Sequence, residues 1–134
     1  MLVTISKKSK KAFEAAAKKL KLSPALPDLS MLREDLALYM TAQYMLAVII
    51  EAGKNGKVYD ITNHSKRKYE NWHYAEEGYV PGSSGGGFSF YDFGYRGAGY
   101  SYVGARLSFN SPDEGKKNAN DYPDLWEIVK LNVK

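Results

Sequence analysis

The residues best suited to acid–base or metal chemistry in this sequence are its two histidines, His64 and His73. Four carboxylates lie close to them along the chain: Asp60, Glu70, Glu76 and Glu77. Imidazole and carboxylate groups together could bind a metal ion or transfer a proton. Their spacing matches no ligand motif such as HExxH. We therefore expect histidines on the surface or on an edge strand, with no metal, cofactor or small-molecule substrate. A small enzyme at His64 and His73 stays open as the third alternative.

A run of aromatic residues offers contacts instead of reactions. Residues 85–109, GGGFSFYDFGYRGAGYSYVGARLSF, carry eight aromatic side chains, no His or Cys, and Asp92 as their one carboxylate. Tyrosines beside glycine-rich loops are typical of protein contact surfaces. The predicted partner-binding residues are Tyr91, Tyr95, Arg96, Tyr100 and Tyr102. The alternative interpretation is that these rings pair across strands and pack against a helix.

Basic residues interleaved with such rings could bind nucleic acid, because arginine, lysine and stacked aromatics hold single strands. The residues for this alternative are Lys7, Lys10, Lys11, Lys18, Lys66, Arg67, Lys68 and Arg106. Residues 1–21 hold seven Lys and one Glu, however, while the remainder is slightly acidic. The basic character therefore belongs to one N-terminal element, and the body of the chain is not a broadly basic nucleic-acid binder.

Two other features favour simple interpretations. The run GSSGGG at residues 82–87 has no Lys and precedes an aromatic strand, so it predicts a flexible linker and not a phosphate loop. The lysine-rich first helix could touch an anionic membrane. Its large apolar residues are limited to Phe13 and Leu20, so we expect a solvated helix face and no membrane partner. The apolar stretch at 36–50 is too short to span a bilayer.

Four elements must position these residues. Ser6 or Ser9 can cap a basic amphipathic helix over residues 1–22, which Pro24 and Pro27 end. A long helix over residues 30–53, with Gly53 at its end, is apolar around so much of its circumference that it should form the centre of the core. A β-rich part and a C-terminal helix follow at 57–109 and 123–131.

Within the β-rich part, alternation predicts short strands at 57–62 and 69–75 and a hairpin whose arms are residues 88–93 and 100–109. A polar stretch follows Pro112. The sequence thus predicts an α+β fold with an N-terminal helical pair, an aromatic-rich antiparallel sheet and a short C-terminal helix. Its 134 residues predict one domain, 1–134. The lack of cysteine and the basic N-terminus, without a signal-peptide pattern, predict the cytoplasm.

Four segments carry a resemblance to a known family. They are LPDLSML at 26–32, KYENW at 68–72, GGGFSF at 85–90 and VGARLSF at 103–109. Over residues 26–131 the chain resembles an uncharacterised family of small proteins from phages and mobile elements of gut bacteria. Ser108 stands where that family has a cysteine, and DEGKKNANDYP lacks the family's alanine-rich helix start. The resemblance implies a phage or mobile-element origin, in host cytoplasm or virion, and implies no mechanism.

These observations favour a non-catalytic binding or assembly protein of phage or mobile-element type. It would contact a protein partner, or a second copy of itself, through the Tyr- and Gly-rich hairpin. A nucleic-acid accessory protein that uses Lys, Arg and stacked Tyr is the alternative.

Overall fold

The computed structural model describes residues 3–58, 60, 62–63, 67–82, 88–96 and 105–131. Within them, helices α1 (Lys7–Lys19) and α2 (Glu34–Gly53) precede strands β1 (Lys68–Ala75) and β2 (Phe88–Arg96). A short 3-10 helix (Ala105–Leu107) and helices α3 (Pro112–Asp121) and α4 (Pro123–Leu131) follow. The predicted α+β class is confirmed, with an N-terminal pair of helices, an antiparallel strand pair and short C-terminal helices.

Helix α1 runs alongside α2 in the same direction. Ser6 caps its start by accepting a hydrogen bond from the Ser9 backbone N–H. The Phe13 ring contacts the edge of Tyr44 at 5.6 Å between centroids, and Lys19 Nζ donates to the Ala52 carbonyl at 2.8 Å. The earlier residue of α1 contacts the earlier residue of α2, and the later contacts the later, so the two helices are parallel. The segment between them must therefore return to the start of α2.

Helix α2 is the central element of the core, but on one side only. Ala42, Met45 and Leu46 are completely buried, and Glu34 and Asp35 lie in the first turn, where they favour the helix dipole. The expectation of burial around most of the circumference is wrong for Leu36 and Met40, which are exposed. By length and composition, α2 is the one helix in the described ranges that could cross a membrane, a test that core helices also pass.

The two strands that pair in the sheet are not the two predicted as arms of a hairpin. Strand β2 is antiparallel to β1, with Lys68 opposite Arg96 and Ala75 opposite Phe88. Residues 105–107 of the expected second hairpin arm form a 3-10 helix, and the backbones of Phe109 and Tyr69 make an isolated bridge. Lys57 and Val58, from the strand expected at 57–62, are not in a strand.

Helix α3 stands where the sequence predicts only a polar stretch. Ser111 caps it by accepting from the Glu114 N–H, and Pro112 suits its first turn. This helix packs against the sheet, while α4 packs against α2. In α4, Leu125, Trp126 and Ile128 are fully buried and complete the core.

Candidate functional site

A β-bulge lies in β2 at an exposed tyrosine. Trp72 pairs with Asp92, but the next residue, His73, pairs with Phe90. Tyr91 is therefore the extra residue of β2 that has no partner in β1. A bulge bends its strand and redirects a side chain. The exposed fraction of Tyr91 is 70%.

Tyr91 belongs to a group of exposed aromatic residues. Trp72 and Tyr74 on β1 are 43% and 53% exposed. The rings of Tyr74 and Tyr91 lie 6.4 Å apart between centroids, within the range of aromatic pairing. We call Trp72, Tyr74 and Tyr91 the aromatic face. Rings of this size gain several kcal/mol when they leave water, so an exposed group on a paired strand is suited to binding.

Charges near the aromatic face are mostly acidic. Asp92, the strand partner of Trp72, is exposed. Glu76 and Glu77, directly after β1, are exposed as well. Arg67 is exposed at the opposite end, before β1. A polyanion such as nucleic acid would be repelled by the three carboxylates, whereas a partner with basic groups would be attracted.

His73, next to Trp72, belongs to an aromatic stack on the other side of the sheet. Its ring lies 5.1 Å from that of Phe88 and 5.2 Å from that of Trp126. Burial, and secondly the charge of Lys130, lower the pKa of His73 to about 4. The imidazole is therefore neutral at pH 7 and acts as a packed ring. Its buried Nδ1 has no hydrogen-bond partner among the described atoms.

The first half of β1 buries polar side chains. Asn71 Nδ2 donates to the Gly115 carbonyl at 2.8 Å, and Lys130 Nζ donates to the Asn71 carbonyl at 3.1 Å. Burial lowers the pKa of Lys130, and the nearby charge of Glu70 acts in the opposite direction. Glu70 is itself buried and contributes to this cluster rather than to an open site. In the described ranges no three His, Asp or Glu side chains are grouped to hold a metal ion.

The predicted partner-binding residues are described only in part. Tyr91 lies in the aromatic face. Tyr95 and Arg96 belong to the last residues of β2, opposite Tyr69 and Lys68, and their side chains lie outside the description. Tyr100 and Tyr102 lie outside the described residues, as do His64 and most of the glycine-rich run.

The basic residues of the nucleic-acid alternative are divided among separate elements. Lys7, Lys10, Lys11 and Lys18 are exposed on α1, and Arg67 is exposed before β1. Arg106 binds Glu51 of α2 at 3.1 Å.

The placement of Lys68 in a basic surface loop is corrected. It is the first residue of β1 and is completely buried, so its ammonium group is not available to phosphates. Lys66 lies outside the described residues.

Sequence reasoning missed Trp72 and Tyr74 as contact residues. The signal was present, because the two residues are spaced by two on a predicted strand and therefore share a sheet face. Tyr91 lies on the same face by alternation, because it is two residues from Ser89, the exposed partner of Tyr74. The bulge beside it left no signal, since a bulge depends on the register between two strands.

Comparison of the chain with protein-family models, with curated proteins and with solved structures finds no match. Its function must therefore be inferred from its own geometry.

Proposed function

We propose that this chain is a non-catalytic binding protein that contacts another protein through the aromatic face. The observation that carries the proposal is the exposure of Trp72, Tyr74 and Tyr91 together on paired strands. Trp and Tyr are the residues most enriched at the energetic centres of protein interfaces. Because two strands and a bulge hold these rings, little side-chain freedom is lost on binding.

The charges around the face favour a protein with a basic rim over nucleic acid. Asp92, Glu76 and Glu77 would repel phosphates close to the rings. They would instead attract Lys or Arg side chains around an apolar centre on the partner. We therefore propose a partner surface that is apolar at its centre and basic at its edge. A second copy of this chain is a special case of such a partner.

The setting of this function is proposed from the sequence. The resemblance to small phage and mobile-element proteins favours a role in assembly or in binding a host protein. The absence of cysteine favours the cytoplasm as the compartment.

A capture experiment with matched variants tests the proposal. The triple variant Trp72→Ser, Tyr74→Ser, Tyr91→Ser removes the aromatic face. Val80→Ser is the control, because Val80 is also a strongly exposed apolar residue but lies outside this face. Proteins captured by the original chain and by the control, but not by the triple variant, are purified and their Kd measured.

The proposal expects the triple variant to weaken Kd by at least about tenfold, which corresponds to about 1.4 kcal/mol. Binding should also weaken as salt rises. Equal capture by the original chain and the triple variant would contradict the proposal. Titration with single-stranded DNA and RNA at two salt concentrations tests the alternative, and binding lost in the triple variant would favour nucleic acid instead.

A further inference from the structure

A second exposed apolar surface lies along α2 and the turn before it. Leu36, Met40 and Tyr44 follow each other at intervals of four residues, so they share one side of the helix. They are 46%, 48% and 37% exposed, and Met31, shortly before α2, is 91% exposed. We call these four residues the apolar ridge. Exposed apolar side chains that share one side of a helix are typical of an interaction site.

A strongly basic helix lies beside the ridge. Tyr44 of the ridge contacts Phe13 of α1, so α1 runs along its edge. Phe13 and Ala17 face the core. At 100° per residue, Lys7, Lys11 and Lys18 point to the opposite side of α1, and all are exposed. Residues 1–21 hold seven lysines and one glutamate.

We propose that the apolar ridge and α1 together form a docking surface for anionic lipid membranes. The lysines would contact lipid headgroups, while the ridge enters the boundary between headgroups and acyl chains. Stable attachment to a membrane surface needs two such signals, since either one alone is weak. This chain holds both on adjacent helices.

Charge disfavours a second copy of the chain bound ridge to ridge. Pairing two ridges would bring two lysine-rich helices together, and like charges oppose that contact. Anionic lipids instead complement the lysines. A helix crossing the bilayer is also disfavoured, because the opposite side of α2 holds the completely buried Ala42, Met45 and Leu46. Adsorption leaves that packing intact.

The inference departs from the expectation of no membrane partner. That expectation considered only the large apolar residues of the first helix, Phe13 and Leu20. In the fold Phe13 is buried, and the exposed apolar side chains come from α2 and the segment before it. The sequence pattern placed two of them, Leu36 and Met40, in the core.

Co-sedimentation with vesicles tests the proposal. The probes are vesicles of phosphatidylcholine alone and vesicles of phosphatidylcholine mixed with phosphatidylserine. The intact chain should bind the mixed vesicles, bind the neutral ones far less, and dissociate as salt rises. Equal binding to both kinds of vesicle, or no binding to either at low salt, would overturn the proposal.

Two sets of variants distinguish lipid from other anions. The triple variant Lys7→Gln, Lys11→Gln, Lys18→Gln and the pair Met31→Ser, Met40→Ser should each reduce the partition coefficient by at least about tenfold. The control Val80→Ser, Lys116→Gln changes an exposed apolar residue and an exposed lysine elsewhere, and should bind like the original chain. Circular dichroism confirms that each variant is folded.

Two results would overturn the lipid assignment. If the methionine pair binds vesicles as well as the original chain does, the lysines attract any polyanion and the ridge is not involved. If light scattering shows a dimer that the methionine pair disrupts, the ridge is covered by a second copy.

Discussion

The two halves of strand β1 have opposite relations between polarity and burial. Lys68, Glu70 and Asn71 in the first half are polar, and each is at most 2% exposed. Trp72 and Tyr74 in the second half are large and aromatic, yet both are exposed. Ordinary strands show the reverse, with apolar residues buried and charged residues in water.

The difference fits our proposal that the first half of β1 contributes to stability and the second half to contact. The buried Asn71 side chain is hydrogen-bonded on one side only. Its Nδ2 donates to the Gly115 carbonyl, whereas its Oδ1 has no hydrogen-bond partner among the described atoms. The Asn71 backbone carbonyl accepts from Lys130 Nζ. The stability of the fold does not require the exposed rings of Trp72 and Tyr74. Their apolar surface stays in contact with water unless another surface covers it, and under our proposal the partner covers the second half of β1.

The largest loss of stability should come from adding a side-chain atom where α3 closely approaches the buried half of β1. In Gly115→Ala the new Cβ would lie 2.6 Å from Asn71 Oδ1 and 3.2 Å from the Phe109 ring. We expect the free energy of unfolding to fall by about 3 kcal/mol, through overpacking and the disturbed Asn71 hydrogen bond. Urea denaturation measures it.

Gly53→Ala is the matched control for that change. It lies at the end of α2, and a Cβ there would have no atom within 4 Å. Alanine normally stabilises a helix relative to glycine, by up to about 1 kcal/mol. If Gly115→Ala were stabilising as well, the close contact of α3 with β1 would be wrong.

Acid should weaken the fold through His73. Its pKa is about 4 in the folded chain, against an ordinary value of 6.5. Between these values the unfolded chain binds a proton that the folded chain does not. The contribution of His73 to the free energy of unfolding should therefore fall as pH drops from about 6.5 to about 4, by about 2 kcal/mol after allowance for solvent screening.

His73→Phe isolates this contribution, because phenylalanine keeps a ring between Phe88 and Trp126 but does not titrate. Urea midpoints measured at pH 7 and pH 4.5 should differ less in the variant than in the original chain. Equal differences would show that His73 is hydrated and titrates normally.

A smaller effect is expected where α3 begins. Ser111→Ala removes the side-chain oxygen that accepts from the Glu114 N–H, and should cost about 1 kcal/mol. Ser89→Ala, at an exposed position opposite Tyr74, should change stability by less than about 0.5 kcal/mol. Thermal unfolding of both variants measures the two losses of stability. Equal losses would show that the Ser111 cap does not stabilise α3.

The smallest stability effect should come from the aromatic face. Tyr74→Ser and Tyr91→Ser should each cost about 0.5 kcal/mol, because the rings are mainly in water and lose one aromatic pair. Thermal melts of the isolated chain measure this. A loss of several kcal/mol would show that these tyrosines are core residues, and the contact hypothesis would then fail.

The helices with clear periodicity could be predicted from the sequence, and the pairing of strands could not. The helix predicted at 30–53 is observed as Glu34–Gly53, with no side-chain cap at its start, and the helix predicted at 123–131 is observed as Pro123–Leu131. Breakers and apolar spacing act within each of these segments. The partner of β2 depends instead on contacts between distant segments, and alternation alone does not choose between residues 68–75 and 100–109. Helix α3 was missed because its PDEGKKNAND sequence has one apolar residue, Ala119, and buries Gly115 and Asn118 in place of large side chains.

The candidate site, too, could be predicted from the sequence only in part. Tyr91 was predicted from its neighbourhood of rings and glycines. The bulge beside it could not be predicted, because it depends on strand register. The mistaken placement of Lys68 arose because a charged residue beside Arg67 suggests a loop. Burial of a charged residue can be recognised only when the surrounding groups are known.

The hydrogen bonds of Asp124 have a consequence for synthesis of the chain. One carboxylate oxygen accepts from the Ser6 backbone N–H and the other from Ser9 Oγ, each at 2.8 Å and across more than a hundred residues. During translation the first helix leaves the ribosome long before Asp124 is made. The N-terminus must wait, undocked at this point, until the final helix emerges, and so distant a closure slows folding.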